Sequence, residues 1–213
     1  FSTSNLPYRG GKGYHWEGGI REPFLIYVPN QTSNGKTSEY PVTGADFYPT
    51  ILDYANIELK PEQHQDGISL KSLINEGALL SERPLFWHYP HYGNQGGDPS
   101  SVIRKGDWKL IHYYEEDTNE LYNLQTDPYE RQNLVASNAK LAESLYLELK
   151  YWLIEVGAKF PEKDEKFDAE KRSEYDKKIV NELLPKLEKE RLKFLEKDYQ
   201  PNKNWWGSKT TKD

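Results

Sequence analysis

The chain has 213 residues, a formal net charge of −6 and 29% charged residues, but neither cysteine nor methionine. This length suits one sizeable domain, and no apolar run reaches the roughly 18 to 20 residues that a membrane-spanning helix needs. The lack of cysteine excludes disulfides, cysteine-ligated zinc and a thiol nucleophile from these residues. Interspersed charges of both signs leave no basic field for nucleic acid. Because translation starts at methionine, we expect a processed or excised piece of a longer protein.

The first 80 residues have the pattern of an α/β protein. Residues 1–22 are rich in Gly, Ser, Asn and Pro, which predicts irregular surface backbone. Residues 24–28 (FLIYV) form an apolar run between two prolines, typical of a strand buried on both faces. Residues 43–56 predict a short buried helix, and residues 66–74 predict a turn followed by one or two helical turns. The apolar face of the predicted buried helix consists of Phe47, Ile51, Leu52 and Ala55.

After residue 84 the pattern changes to short apolar and aromatic runs separated by turns, namely LFWHY, SVIRKG, DWKLIHYY and ELYNL. Alternation within these runs and turn residues between them predict an antiparallel meander. An apolar stripe at helical spacing then predicts a helix that ends at Gly157 and covers one face of the sheet. The stripe consists of Leu141, Leu145, Leu149, Trp152, Leu153 and Val156.

Residues 161–198 are more than half charged and keep a thin apolar stripe formed by Ile179, Leu183, Leu187 and Phe194. We interpret them as a solvated helical appendage packed by one narrow face, in preference to a partner-binding coiled coil. Pro185 predicts a break or kink. Trp205 and Trp206 are costly to leave exposed, so we expect them to dock on the body or to line a sugar-binding surface.

The sequence RGGKG at residues 9–13 invites comparison with a phosphate loop. Lys12 is followed by Gly13 instead of Ser or Thr, and the required upstream glycine is missing, so a Walker-type loop is excluded. A lysine between glycines remains, which lets the backbone approach a ligand while the ammonium supplies a charge for an oxyanion. On this pattern alone, an ordinary surface lysine is the favoured interpretation. Glu17 and Arg21, four residues apart, are expected to pair and brace this loop.

The segment GGKGYHWEGGIREPFLIYVP resembles the type I sulfatase family, in which this block reads GGKGTTWEGGIRVPFIVRWPG or a close variant. The similarity continues in order through GADFYPTILDYANI, DGISLKSLI, RPLFWHYPHY, IRKGDWKLI and ELYNLQTDPYERQNL, over about residues 6 to 157. The resemblance implies the C-terminal part of an alkaline-phosphatase-like α/β sandwich and a small subdomain with an antiparallel sheet and packed helix. We accordingly expect domains at residues 1–80 and 81–160, followed by a charged helical extension at 161–213.

Members of this family hydrolyse sulfate esters with a formylglycine nucleophile beside a calcium ion, and the lysine of the GGKG block binds a sulfate oxygen. The resemblance therefore assigns Lys12 as the catalytic, sulfate-binding residue. This role is physically sensible, because a cation held in place beforehand stabilises the charge that develops on the transferring group. The chain contains neither the C/S-x-P-x-R motif nor the Asp-Asn calcium ligands of the family. We expect both on an N-terminal half, so this chain alone should be inactive.

Tyr14 and His15 replace the Thr-Thr of the family and are candidate substrate contacts beside the sulfate pocket. His15 is also a candidate acid for the leaving oxygen. His88 and His91 form an H-x-x-H pair, but Pro90 prevents a helical arrangement and no third ligand lies nearby in sequence, so a metal site is not favoured. Their loop suits hydrogen bonding and stacking on a sugar, and a packed structural role is an equal alternative for either histidine.

The sequence thus predicts the C-terminal portion of an exported bacterial sulfatase, periplasmic or extracellular, that acts on a sulfated carbohydrate. One alternative is a phosphate or phosphonate ester hydrolase of the same superfamily, because Lys12 would suit either tetrahedral oxyanion. Another is a non-catalytic glycan-binding module. The apolar run at residues 24–28 argues against such independence, since half a sheet would leave an unpaired apolar edge.

Overall fold

The computed structural model describes residues 5–29, 35–93 and 96–199. Its helices are α1 (Glu17–Ile20), α2 (Phe47–Tyr54), α3 (Lys71–Glu76), α4 (Ala139–Glu155), α5 (Ala169–Lys178) and α6 (Leu184–Phe194). Its strands are β1 (Leu85–Tyr89), β2 (Ser100–Lys105), β3 (Trp108–Tyr113) and β4 (Thr118–Asn123). A 3₁₀ turn, Gly44–Asp46, leads into α2, and a π-helical turn, Ile179–Leu183, joins α5 to α6.

The four strands form one antiparallel sheet in the order β1-β2-β3-β4, so the predicted meander is confirmed. Ile103 pairs with Phe86 on one side and Leu110 on the other, and Leu110 pairs with Leu121. Directly opposed residues lie on the same face of a sheet. The register therefore lines up one apolar row across all four strands, and the residues between lie on the opposite face.

Helix α4 covers the first face, as the stripe predicts. Its buried residues Ala142, Leu145, Leu149 and Leu153 share one core with Ile103, Leu110 and Leu121. The rings of Phe86 and Trp152 stack at 4.6 Å, which extends this core to the edge strand β1. The helix ends where Gly157 takes a positive φ of 63°, a conformation that favours glycine. Val156, the last residue of the predicted stripe, is 51% exposed and lies outside the core.

The second face of the sheet is covered by the N-terminal segment that carries the GGKG sequence. Val102, Ile111 and Tyr122 form a smaller apolar cluster here, and Trp16 packs against it. Much of the segment is irregular, as predicted, but Glu17 and Gly18 at the start of α1 are buried. The sheet is therefore a middle layer, with α4 on one side and the candidate site segment on the other.

The predicted strand at residues 24–28 is wrong. This run is irregular backbone, with Leu25 91% and Tyr27 76% exposed, and the ring of Phe24 stacks on Phe47 at 5.1 Å. A strand buried on both faces needs neighbouring strands to bond with and layers to cover it. The described residues supply neither, so the apolar run lies at the surface.

The predicted helix at residues 43–56 forms as the 3₁₀ turn and α2, and Pro49 lies in the first turn, where a proline is tolerated. Its burial is only partly as predicted. Leu52 is buried, whereas Phe47 is 45% and Ile51 is 64% exposed. The apolar face that the sequence assigns to a core thus remains largely exposed, next to the exposed run at residues 24–28. The predicted turn and short helix at residues 66–74 correspond to α3.

The charged tail forms two α-helices, α5 and α6, which the π-helical turn just before Pro185 separates, so the predicted break is confirmed. The proline itself occupies the first turn of α6, where it costs no hydrogen bond. None of the residues of α5 or of the π-helical turn is buried, and Leu183 is 43% exposed. Ile179, Leu183 and Leu187 of the predicted stripe therefore do not pack into a core. Trp205 and Trp206 lie outside the described residues.

Three buried charged side chains join the N-terminal segment to the sheet. The Lys109 ammonium on β3 is completely buried and lies 3.0 Å from Glu17 Oε1 and 2.8 Å from Glu130 Oε1. Glu130 Oε2 also accepts a hydrogen bond from the Glu17 backbone N–H. Burial raises the pKa of Glu130, and the charge of Lys109 opposes that shift. We call Glu17, Lys109 and Glu130 the buried ion cluster.

Lys109→Met should strongly destabilise the protein, because it leaves two buried carboxylates without their cation. The expected loss is about 3–5 kcal/mol of unfolding free energy, measured as a shift of the urea midpoint. The matched control is Lys105→Met on the neighbouring strand. Lys105 pairs with Glu148 at 2.9 Å but is 46% exposed, so its loss should cost about 1 kcal/mol or less. Equal shifts for the two variants would contradict the assigned role of the cluster.

Candidate functional site

Lys12 lies at the tip of a tight turn. The Tyr14 backbone N–H donates to the Gly11 carbonyl at 3.0 Å, and Lys12 between them is exposed while Gly11 is buried. Gly10 and Gly13 have φ angles of 80° and 99°, a region that L side chains rarely adopt. Gly10 and Gly13 are thus required by the turn, and the turn leaves Lys12 exposed.

The WEGG block closes this turn into a loop. The Gly18 N–H donates to the Arg9 carbonyl at 2.8 Å. A Cβ on Gly18 would lie 2.4 Å from Arg9 O, and one on Gly19 would lie 1.9 Å from Tyr14 O. Both contacts are too close for any side chain, so the two glycines allow the start of α1 to pack against the Lys12 turn. We call residues 9–19 the Lys12 loop.

Arg9 anchors the other end of the Lys12 loop to the sheet. Its Nη1 donates to Tyr122 Oη at 2.7 Å and to the Glu130 carbonyl at 3.1 Å. Its guanidinium also lies 3.8 Å above the ring of Trp16, whose indole N–H donates to Glu120 at 2.9 Å. Both ends of the loop are therefore fixed to the same face of the sheet.

The predicted pairing of Glu17 with Arg21 exists, with Arg21 Nη1 3.9 Å from Glu17 Oε2. It is a secondary contact, because Lys109 is closer to Glu17 and fully buried. Sequence reasoning missed Lys109 and Glu130, which are 92 and 113 residues away from Glu17. The sequence offered one signal for the cluster, the charged Lys109 among the alternating apolar residues of β3. An exposed position at the edge of the sheet would explain that charge equally well.

Tyr14 lies in the Lys12 loop and contacts the loop that follows β1. Its ring stacks on Trp16 at 5.2 Å with an 11° interplanar angle. A Cβ on Gly96 would lie 2.1 Å from that ring, and one on Gly97 would lie 2.0 Å from the Gly13 carbonyl oxygen. Burial and the nearby Asp98 carboxylate raise the pKa of Tyr14. The Lys12 loop and the loop after β1, which both carry predicted site residues, therefore meet at Tyr14.

His15 also faces the sheet. Its Nδ1 lies 2.8 Å from Ser100 Oγ, and the Ser100 hydroxyl donates to the Asp98 carbonyl at 2.8 Å. Because that hydroxyl proton is used, Ser100 Oγ accepts from His15 Nδ1–H, which leaves Nε2 as an acceptor. Burial lowers the pKa of His15 to about 4, with smaller contributions from Lys109 and His88. At neutral pH the imidazole is uncharged, so the geometry favours a hydrogen-bond acceptor over the candidate acid.

His88 lies on the other face of the sheet and does not join Lys12. Its Nε2–H donates to the Lys159 carbonyl at 2.8 Å, and its Nδ1 lies 2.6 Å from Ser101 Oγ. Both ring nitrogens are thus engaged within the protein, beside the end of α4. This geometry favours the packed structural role, the alternative given for His88 above, over the predicted substrate contact.

His91 is exposed on the site side of the sheet. Its ring meets Tyr89 edge-on at 5.5 Å, and Tyr89 in turn meets His15 at 6.4 Å. The structure therefore places Tyr14, His15 and His91 on the side of the sheet that carries the Lys12 loop, and it places His88 on the opposite side. Among residues 5–29, 35–93 and 96–199, no three His, Asp or Glu side chains converge as metal ligands. In the same ranges no helix has the length and apolarity to cross a membrane.

His15 should make the protein sensitive to mild acid. The pKa of about 4 in the folded state is below the ordinary value of 6.5, so the unfolded state binds more protons between these pH values. The stability contributed by neutral His15 is therefore present at pH 7 and lost as pH falls from about 6.5 towards 4. His15→Asn keeps an N–H donor for Ser100 and does not titrate. From pH 7.5 to 5, the urea midpoint should fall more for the wild type than for this variant. Parallel curves would contradict the assignment.

Comparison with known proteins identifies the family. Residues 11–159 match the family described as N-sulphoglucosamine sulphohydrolase, C-terminal. The chain is 37% identical over 171 residues to a sulfatase from Formosa agariphila, which covers 73% of this chain and 31% of that protein. It is 34% identical over 128 residues to an N-acetylglucosamine-6-O-sulfatase from Bacteroides thetaiotaomicron, covering 58% of this chain and 23% of that protein.

Solved structures are also similar to this chain. The crystal structure of Ps i-CgsB superposes with a TM-score of 0.58 at 26% identity, covering 70% of this chain and 32% of that one. The same protein in complex with k-i-k-neocarrahexaose gives a TM-score of 0.56. The chain spans about a third or less of the length of these relatives. The predicted fold class, the C-terminal part of the alkaline-phosphatase-like α/β sandwich with its small subdomain, is confirmed by this likeness. The chain belongs to the sulfatase family and corresponds to its C-terminal portion.

Proposed function

We propose that this chain supplies the sulfate-binding lysine and part of the substrate surface of an enzyme that hydrolyses sulfate esters. The observation that carries the proposal is the rigid presentation of Lys12 by a loop with the family's GGKG and WEGG sequences. Two contacts with the sheet, through Arg9 and through the buried ion cluster, fix this loop before any ligand arrives. Residues 1–80 would then belong to the large domain, 81–160 to the small subdomain and 161–213 to an extension.

The chemistry of Lys12 in this proposal is charge stabilisation. An ammonium held at a fixed position interacts with the sulfuryl oxygens as negative charge shifts during cleavage of the ester bond. Because the loop is already ordered, this stabilisation requires no reorganisation at the moment of reaction. The sequence lacks the family's C/S-x-P-x-R motif, and the described residues hold no cluster of three His, Asp or Glu side chains that could bind a metal. Formylglycine and calcium ligands would therefore come from a part of the protein outside this chain.

The substrate that we propose is a sulfated carbohydrate. Tyr14, His15 and His91 form a surface of ring faces and edges beside Lys12, and such surfaces suit stacking on a sugar. The acceptor at His15 Nε2 is suited to a sugar hydroxyl. The bacterial relative named as an N-acetylglucosamine-6-O-sulfatase supports this substrate class. A polymeric sulfated glycan does not cross membranes, so we place the enzyme in the periplasm or outside the cell.

The test of Lys12 is Lys12→Ala in the full-length protein that contains this chain. Removal of one fixed charge-stabilising group should lower kcat by about 100- to 1,000-fold on an aryl sulfate. The control is Lys140→Ala, because Lys140 is an exposed lysine at the start of α4. This control should keep wild-type kcat and KM. Unchanged turnover in Lys12→Ala would overturn the role of the lysine.

The competing phosphate ester activity is tested with the same protein. Wild-type enzyme is compared on an aryl sulfate and on the aryl phosphate with the same leaving group, under the same conditions. A higher kcat/KM on the sulfate supports the proposal. A higher value on the phosphate assigns the chain to the phosphate or phosphonate ester hydrolase alternative. No turnover of either substrate, together with retained affinity for a sulfated glycan, indicates the binding module.

A further inference from the structure

Helix α5 lies outside the residues that match the family, 11–159, and yet it contacts the loop beside Tyr14. The guanidinium carbon of Arg172 lies 5.3 Å from the centre of the Tyr92 ring. The start of α5 is fixed by Asp168, whose carboxylate accepts from the backbone N–H groups of Glu170 and Lys171 at 3.1 Å. We call residues 91–93 and 96–98, the described part of the loop after β1, the flanking loop.

Arg172 faces carboxylates from three different segments. On its own helix, Asp176 Oδ1 lies 3.2 Å from Arg172 Nε. Burial by itself lowers the pKa of Arg172, whereas Asp176 on its helix and Glu115 on the body raise it. Burial raises the pKa of Asp98, and the charge of Arg172 opposes that shift. Tyr92 Oη donates to Glu115 Oε2 at 2.5 Å, so the ring that Arg172 contacts is itself bonded to this carboxylate. A guanidinium between such groups holds segments together that would repel each other without it.

The flanking loop in turn determines the position of Tyr14. Gly93 and Gly97 are joined by a backbone hydrogen bond of 3.1 Å, and Gly96 and Gly97 pack against the Tyr14 ring and the Gly13 carbonyl without room for a side chain. Tyr14 is two residues from Lys12. A displacement of the flanking loop would therefore move Tyr14 by direct steric contact, and Tyr14 belongs to the candidate site.

We propose that α5 forms one side of the entrance to the Lys12 site, with Arg172 as a positioning residue that holds the flanking loop against Tyr14. This inference rests on the proposed function, since it concerns access to the same site. Without Arg172, the carboxylates of Asp98, Glu115 and Asp176 would repel each other and also repel an anionic substrate. Long sulfated substrates should be more affected than small ones, because only long ones extend past the flanking loop.

The experiment uses Arg172→Ala in the full-length protein. With a sulfated oligosaccharide, KM should rise about tenfold, the equivalent of about 1.4 kcal/mol. With a small aryl sulfate, kcat should stay within about twofold of wild type. Arg172→Lys keeps the positive charge and should recover most of the loss in KM. Hydrogen exchange of peptides from the flanking loop should be faster in Arg172→Ala, whether or not the protein turns over either substrate.

Arg191→Ala is the matched control. Arg191 lies in the same tail, is 35% exposed against 36% for Arg172, and pairs with Glu188 at 2.6 Å as Arg172 pairs with Asp176. The control should change neither KM nor the exchange of the flanking loop. Equal effects of the two variants, or an equal loss of kcat on both substrates, would overturn the proposal. If the wild type lacks sulfatase activity, the proposed function fails, and the exchange rates alone decide whether Arg172 holds the loop.

Discussion

Lys109 lies fully buried between the carboxylates of Glu17 and Glu130, and the position of the Lys12 loop depends on this arrangement. Burying three charged groups is costly, so the cluster need not add net stability relative to an apolar alternative. Its effect is on the position of the Lys12 loop relative to the sheet. Any other placement of the WEGG block on the sheet would bury a charge without its partner. The cluster therefore selects one register of the loop on the sheet, and the Lys12 turn follows from that register.

Local patterns were sufficient for the small subdomain. Alternation and turns identified the four strands, and helical spacing identified α4 with its buried Leu145, Leu149 and Leu153. These patterns work because each element exposes one face and buries the other within the same chain. Residues 24–28 followed the pattern of a buried strand and yet remain at the surface. An apolar run indicates that a surface is suited to burial. It does not indicate whether the layers that would cover this surface belong to the same chain.

The residues of the candidate site could be predicted only where they belong to a sequence motif. The GGKG block identified Lys12 and its neighbours Tyr14 and His15, but nothing local in the sequence linked Glu17 to Lys109 or Arg172 to Tyr92. Those pairs are 92 and 80 residues apart along the chain and meet through the topology of the sheet and the path of the tail. Long-range pairs of this kind depend on the whole fold. A single sequence carries no direct signal for them.

The two faces of the sheet explain why His15 and His88 have different roles although both bond a serine of β2. Ser100 and Ser101 are adjacent on the strand, so their side chains point to opposite faces. Ser100 holds His15 on the side of the Lys12 loop, with one ring nitrogen left as an acceptor. Ser101 holds His88 on the side of α4, where the second nitrogen is bonded to Lys159. The alternation of a single strand thus decides which histidine lies beside the Lys12 loop and which one lies beside α4.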